Sequence, residues 1–108
     1  MANDGCCSSE IPIACDLGAI SASDRPRYKE LRKMLAASAA GNRELPDGIA
    51  VQIATARMTL AQLAEWISFE RKCCPFFEFR IDVAAKSGPV WVSLTGRPGV
   101  KEFLAHAF

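Results

Sequence analysis

The 108-residue chain has no apolar run approaching the roughly 18 residues that a helical membrane span needs, so no membrane contact of that kind is expected. It has no excess of either charge: 13 Lys and Arg face 12 Asp and Glu, a formal net charge of +1. A dedicated nucleic-acid binder usually carries a clear basic excess, so nucleic acid is set aside as a partner. The same balance leaves little repulsion between copies, and a homodimer is expected. The first ten residues contain Asp4 and Glu10 but no Lys or Arg. The apolar stretch around IPIAC is far shorter than the ~7–15 residues of a signal-peptide core. Cys15 has Pro12 where a lipid-attachment box wants an aliphatic residue. The chain is therefore read as cytoplasmic. Its Gly-rich stretch TGRPGVKEFL lacks the Gly-Lys-Ser/Thr of a phosphate loop, so a tight strand-to-helix turn is preferred there over an anion site at Lys101. What the chain does have is five cysteines, an odd number without an export signal, which argues for reduced thiols and against a disulfide scaffold.

Residues 1–20 read as a largely flexible N-terminal segment and residues 21–108 as a single α+β domain. In SASDRPRYKELRKMLAASAAG, Ser23 or Asp24 is a helix cap, Pro26 fits the first turn, and Tyr28, Leu31 and Leu35 share a face. Gly41 is a natural terminator, and NRELPDG has turn chemistry. Ile49, Val51 and Ile53 alternate with Ala50, Gln52 and Ala54, as in a strand covered on one face. Thr59 and Gln62 make a capping box, with Met58 and Leu63 placed as a hydrophobic staple. Leu60, Leu63, Ala64 and Ile67 form the apolar stripe of that second helix, a further turn of it reaches Glu70, Cys73 and Cys74, and Pro75 ends the helix at or just before Cys74. Phe77, Phe79, Ile81 and Val83, then Val90, Val92 and Leu94, alternate through a hairpin, and Val100, Phe103, Leu104 and Ala107 suit a final helix. The expected fold is a two-layer α+β sandwich: a three-stranded sheet with helices on one face, in the order α-β-α-β-β-α.

The segment ERKCCPFFEFRI, followed by VWVSLTGRPGVKEFL, resembles a group of small uncharacterised bacterial proteins. They share a Glu-x-x-Cys-Cys-Pro-Phe segment, a strand pair and a Thr-Gly-x-x-Gly turn before a terminal helix. An upstream cysteine is also similar, here Cys15 in ACDLGAIS, and the likeness spans residues 13–105. The resemblance implies that Cys15, Glu70, Cys73 and Cys74 belong together. It carries no activity with it.

Thiolates favour Zn²⁺ and softer thiophilic ions over Mg²⁺ or Ca²⁺. Adjacent cysteines on a regular helix point about 100° apart, so Cys73 and Cys74 can meet one ion only if the helix end unwinds, which Pro75 permits. Glu70, one turn before Cys74, offers an oxygen ligand or a proton acceptor, and Cys15 a third thiol. The metal set is therefore Cys15, Glu70, Cys73 and Cys74, with Zn or another thiophilic ion as the only cofactor and His106 as a weaker fourth candidate. Cys6 and Cys7 offer a second pair or belong to a tail. The competing reading is packing: free cysteine buries readily, and this pair sits between an apolar helix and a Phe-rich strand. Cysteine-based catalysis or redox exchange is the less favoured reading, because a helix C-terminus disfavours a nucleophilic thiolate and Arg71 and Lys72 offset that only in part. The functional reading is a small thiol-based soft-metal binder. The alternatives are a non-catalytic interaction or structural module with buried cysteines and a thiol redox protein. Trp66, Phe69 and Trp91 lie off the main stripes and mark scattered aromatics or a dimer face.

Overall fold

The computed structural model describes residues 12–107. After a short 3-10 helix at Leu17–Ala19, the elements are α1 (Arg25–Ser38), β1 (Ala39–Leu45), β2 (Gly48–Ile53), α2 (Leu60–Cys73), β3 (Glu78–Val83), β4 (Val90–Thr95) and α3 (Val100–Ala107). The α+β class and the three expected helices are present. The sheet is larger than expected, with four strands in the order β1-β2-β4-β3 and every neighbouring pair antiparallel.

The added strand is β1, in the stretch read as helix end and turn. α1 stops at Ser38, whose hydroxyl donates back to the Met34 carbonyl at 2.8 Å, and Ala39 is already extended. β1 then pairs with β2 from Ala39↔Ile53 to Leu45↔Gly48 around a two-residue connection, Pro46–Asp47. It is an edge strand with six of its seven residues exposed, so it carries no apolar alternation. The element order is therefore α-β-β-α-β-β-α, which corrects both the strand count and the expected order.

Register puts Ile49, Val51 and Ile53 of β2 opposite Leu94, Val92 and Val90 of β4, which in turn face Phe79, Ile81 and Val83 of β3. Most of these residues join or border the core with Leu31, Leu35, Leu63, Leu104 and Val100, although Val83 is exposed. The opposite face carries Arg43, Gln52, Arg80, Asp82 and Trp91 by alternation. Arg43 lies over the Trp91 ring, 4.4 Å from its centroid.

α2 begins as expected. Thr59 accepts from Gln62 N–H at 3.2 Å, and the Gln62 side chain accepts from Thr59 N–H at 2.9 Å. Its buried row is Leu63, Trp66, Glu70 and Cys73, which keeps Leu63, Glu70 and Cys73 of the expected stripe, while Leu60 and Ala64 are exposed and Trp66 joins it. Trp66 is fully buried against the Phe79 ring, so it is core and not a surface mark for a dimer. Phe69 is half-buried at the edge of the Tyr28 ring.

Candidate thiol site at the end of helix α2

α2 places Cys73 on its last turn, and the chain then leaves helical geometry. Cys74 has ψ 71° while its N–H still bonds the Glu70 carbonyl at 2.7 Å. Pro75 follows, and its ring disfavours a helical Cys74. This departure turns the two sulfurs toward each other, 3.7 Å apart. Phe76 and Phe77 follow in sequence and pack against each other and Phe103, and Cys73, Cys74, Phe76 and Phe77 are all buried in the core.

Cys15 arrives from the N-terminal side. Asp16 N–H donates to the Cys73 carbonyl at 2.8 Å, tying the segment to the end of α2. Asp16 also caps the 3-10 helix by accepting from Gly18 N–H, and Ile20 is buried in the core. Asp16 and Ile20 thus make backbone and core contacts, while residues 1–11, including Cys6 and Cys7, lie outside the described residues. Cys15 and Cys74 form a disulfide with Cα atoms 4.9 Å apart, inside the usual range. This corrects the expectation of reduced thiols throughout: an odd cysteine count does not forbid one pair. Cys73 is left as a buried thiol. The three sulfurs lie within 4.8 Å of one another, two of their residues buried and Cys15 exposed.

Glu70 stands beside this cluster without being a member of it. Its carboxylate accepts from the Tyr28 hydroxyl of α1 at 2.5 Å, and the same phenolic oxygen lies 4.0 Å from Cys73 Sγ. Sequence reasoning placed Tyr28 only on the apolar face of α1. Burial is the largest influence on all three groups. It raises the Glu70 carboxyl pKa, with Tyr28 and Arg32 working against it. It raises the Cys73 thiol, with the Tyr28 hydroxyl opposing and Glu70 reinforcing. It raises the Tyr28 phenol, with Glu70 adding to the effect. Burial thus disfavours the charged form of each of these groups.

The other expected features lie elsewhere. His106 is exposed on α3, and among the described residues the cluster of close ligand atoms comprises the three cysteines without it. Lys101, in the Gly-rich stretch, pairs with Glu44 at 3.2 Å. Arg27 of α1 bridges Glu65 and Glu30, each at 2.7 Å. A groove of about 440 Å³ between α1, β1, β2 and α3 is lined by Leu35, Ile49, Val51 and Leu104, with Arg32 and Asn42 as its polar groups. It carries no metal-ligating or nucleophilic side chain. No described helix is long and apolar enough to cross a membrane. No family model, curated protein or solved structure matches the chain.

Proposed function

We propose that this protein binds a soft, thiophilic ion, zinc or softer, through Cys15, Cys73 and Cys74 once the Cys15–Cys74 pair is reduced. One observation carries the reading: three sulfurs from two distant parts of the chain lie within 4.8 Å of one another. Two sulfurs held about 2.3 Å from one tetrahedral ion are separated by about 3.8 Å. The Cys73–Cys74 separation of 3.7 Å suits that arrangement without moving either side chain. The C-terminal end of α2 also favours a cation over a bare thiolate. Glu70 acts through Tyr28 on Cys73 in this reading, holding the wall of the pocket, and water or a ligand from a donor thiol completes the coordination. The resemblance to proteins with a Glu-x-x-Cys-Cys-Pro-Phe segment groups the same residues and is itself part of the proposal.

The reading places the chain in a reducing compartment, such as the cytoplasm, as a binder without catalysis. Binding displaces thiol protons, so affinity rises with pH. A homodimer is a separate proposal, resting on the open edges of β1 and β3 and the small net charge, and sedimentation tests it. A second functional reading, thiol redox exchange, is favoured by the Cys15–Cys74 disulfide. A third, cysteines as packing, is favoured by the place of Cys73 and Cys74 in the core cluster.

The test is a Cd²⁺ titration of the reduced protein, followed by thiolate-to-metal absorption, against Cys73→Ser and Cys74→Ser. The expected result is one ion per chain, lost in both variants, with Mg²⁺ producing no response in any. If the cysteines are only packing, the wild type shows no thiolate absorption and the serine variants lose about 1–3 kcal/mol of stability through poorly satisfied hydroxyls.

A further inference from the structure

The disulfide is asymmetric in access. Cys15 is exposed, while Cys74 and the neighbouring Cys73 are buried. Thiol–disulfide exchange proceeds by attack of a thiolate on one sulfur with the other leaving, so access decides which sulfur is attacked. We propose that Cys15 is a modification site for low-molecular-weight thiols, and that exchange there opens the three-sulfur site. This inference takes the soft-ion reading for its consequence, but the exchange step stands on the disulfide and its access alone.

The chemistry balances with two small thiols. The first, as thiolate, attacks Cys15 Sγ. A bond forms between that sulfur and the incoming one, the Cys15–Cys74 bond breaks, and Cys74 leaves with the electron pair. A second small thiol then attacks the incoming sulfur of the mixed disulfide, releasing Cys15 and forming the small disulfide. Two electrons pass from the two thiols to the protein pair. The helix C-terminus disfavours a lone thiolate at Cys74, so the released sulfur takes up a proton or the ion.

Two further features shape the outcome. Cys73 lies 3.7 Å from Cys74 and is the obvious internal competitor. A Cys73–Cys74 bond would join residues whose Cα atoms are about 3.8 Å apart across one trans peptide, below the usual disulfide range. Cys73 therefore stays a thiol and becomes the third ligand. The Cys15 segment is also held without the disulfide, by Asp16 N–H on the Cys73 carbonyl at 2.8 Å, by buried Ile20, and by Arg25 Nε on the Ile20 carbonyl at 3.1 Å. Opening the bond frees two sulfurs and leaves them beside the Cys73 thiol.

The experiment uses the full chain carrying Cys6→Ser and Cys7→Ser, so that only the site sulfurs report. The oxidised protein is treated with glutathione, quenched in acid and mapped by peptide mass spectrometry. In parallel, Cd²⁺ uptake is measured on the oxidised and reduced forms and on Cys15→Ser. The expected result is a glutathione adduct on Cys15 with none on Cys74, and at least tenfold tighter Cd²⁺ binding in the reduced form. Cys15→Ser should bind weakly and equally in both conditions. An adduct chiefly on Cys74 overturns the proposal. Equal Cd²⁺ binding by the oxidised and reduced forms overturns the gating while leaving ion binding intact. An adduct on Cys15 with no Cd²⁺ uptake by the reduced form sustains the exchange step and overturns the ion reading instead.

Discussion

The Tyr28 hydroxyl donates to the Glu70 carboxylate at 2.5 Å across the contact between α1 and α2, and both side chains are buried. Removing the donor leaves a buried carboxyl without its partner. Tyr28→Phe is expected to cost about 1–3 kcal/mol, measured by urea unfolding near neutral pH. A loss no larger than that of an exposed substitution would mean the carboxyl finds another donor.

The same contact sets a pH dependence. The folded Glu70 carboxyl titrates above its ordinary value of 4.5, chiefly because it is buried. The folded state therefore binds this proton more tightly than the unfolded chain. Its contribution to stability is complete below the unfolded value and is lost as pH rises through the folded one. Glu70→Gln keeps a neutral side chain at every pH. Relative to wild type, the variant should gain stability as pH rises from about 4 to 8. Unfolding free energies across that range check it, and a difference that stays flat would contradict the shift.

Gly48 tests the central strand pairing. A Cβ built there would lie 1.9 Å from the Leu94 carbonyl oxygen, which belongs to the neighbouring backbone. Gly48→Ala must push β2 away from β4 and should cost at least about 1–3 kcal/mol, read as a lowered melting temperature by circular dichroism.

At the start of α2, Thr59→Ala removes one half of the reciprocal pair with Gln62. The expected loss is about 1 kcal/mol, with the thiol site unchanged because it lies at the other end of the helix. Chemical denaturation and thiol counting together check this.

What was legible in the sequence follows physical visibility. The α2 cap is a local pattern, and Thr59 with Gln62 predicted it. The unwinding at Cys74 was also readable, because Pro75 constrains its predecessor wherever it occurs. β1 was not readable, since an exposed edge strand has no buried face to leave an alternation, and Gly41 looked like the end of a helix when it is a strand residue. Leu63, Glu70 and Cys73 of the α2 stripe were readable, but Trp66 was read as lying off it although it faces inward. The Tyr28–Glu70 pair spans 42 positions, beyond any local pattern. One signal was available: a tyrosine on an apolar helix face needs a hydroxyl partner when buried, and Glu70 was the acid on the facing stripe. The Cys15–Cys74 bond was missed because cysteine parity speaks about averages and not about one pair.

The central claim, that three cysteines hold one soft ion, is tested most directly by X-ray absorption at the metal edge of the reduced full chain carrying one equivalent of Zn²⁺. The account predicts three sulfur neighbours at about 2.3 Å, falling to two in Cys15→Ser. A first shell made only of oxygen and nitrogen, or one unchanged by that substitution, would contradict it.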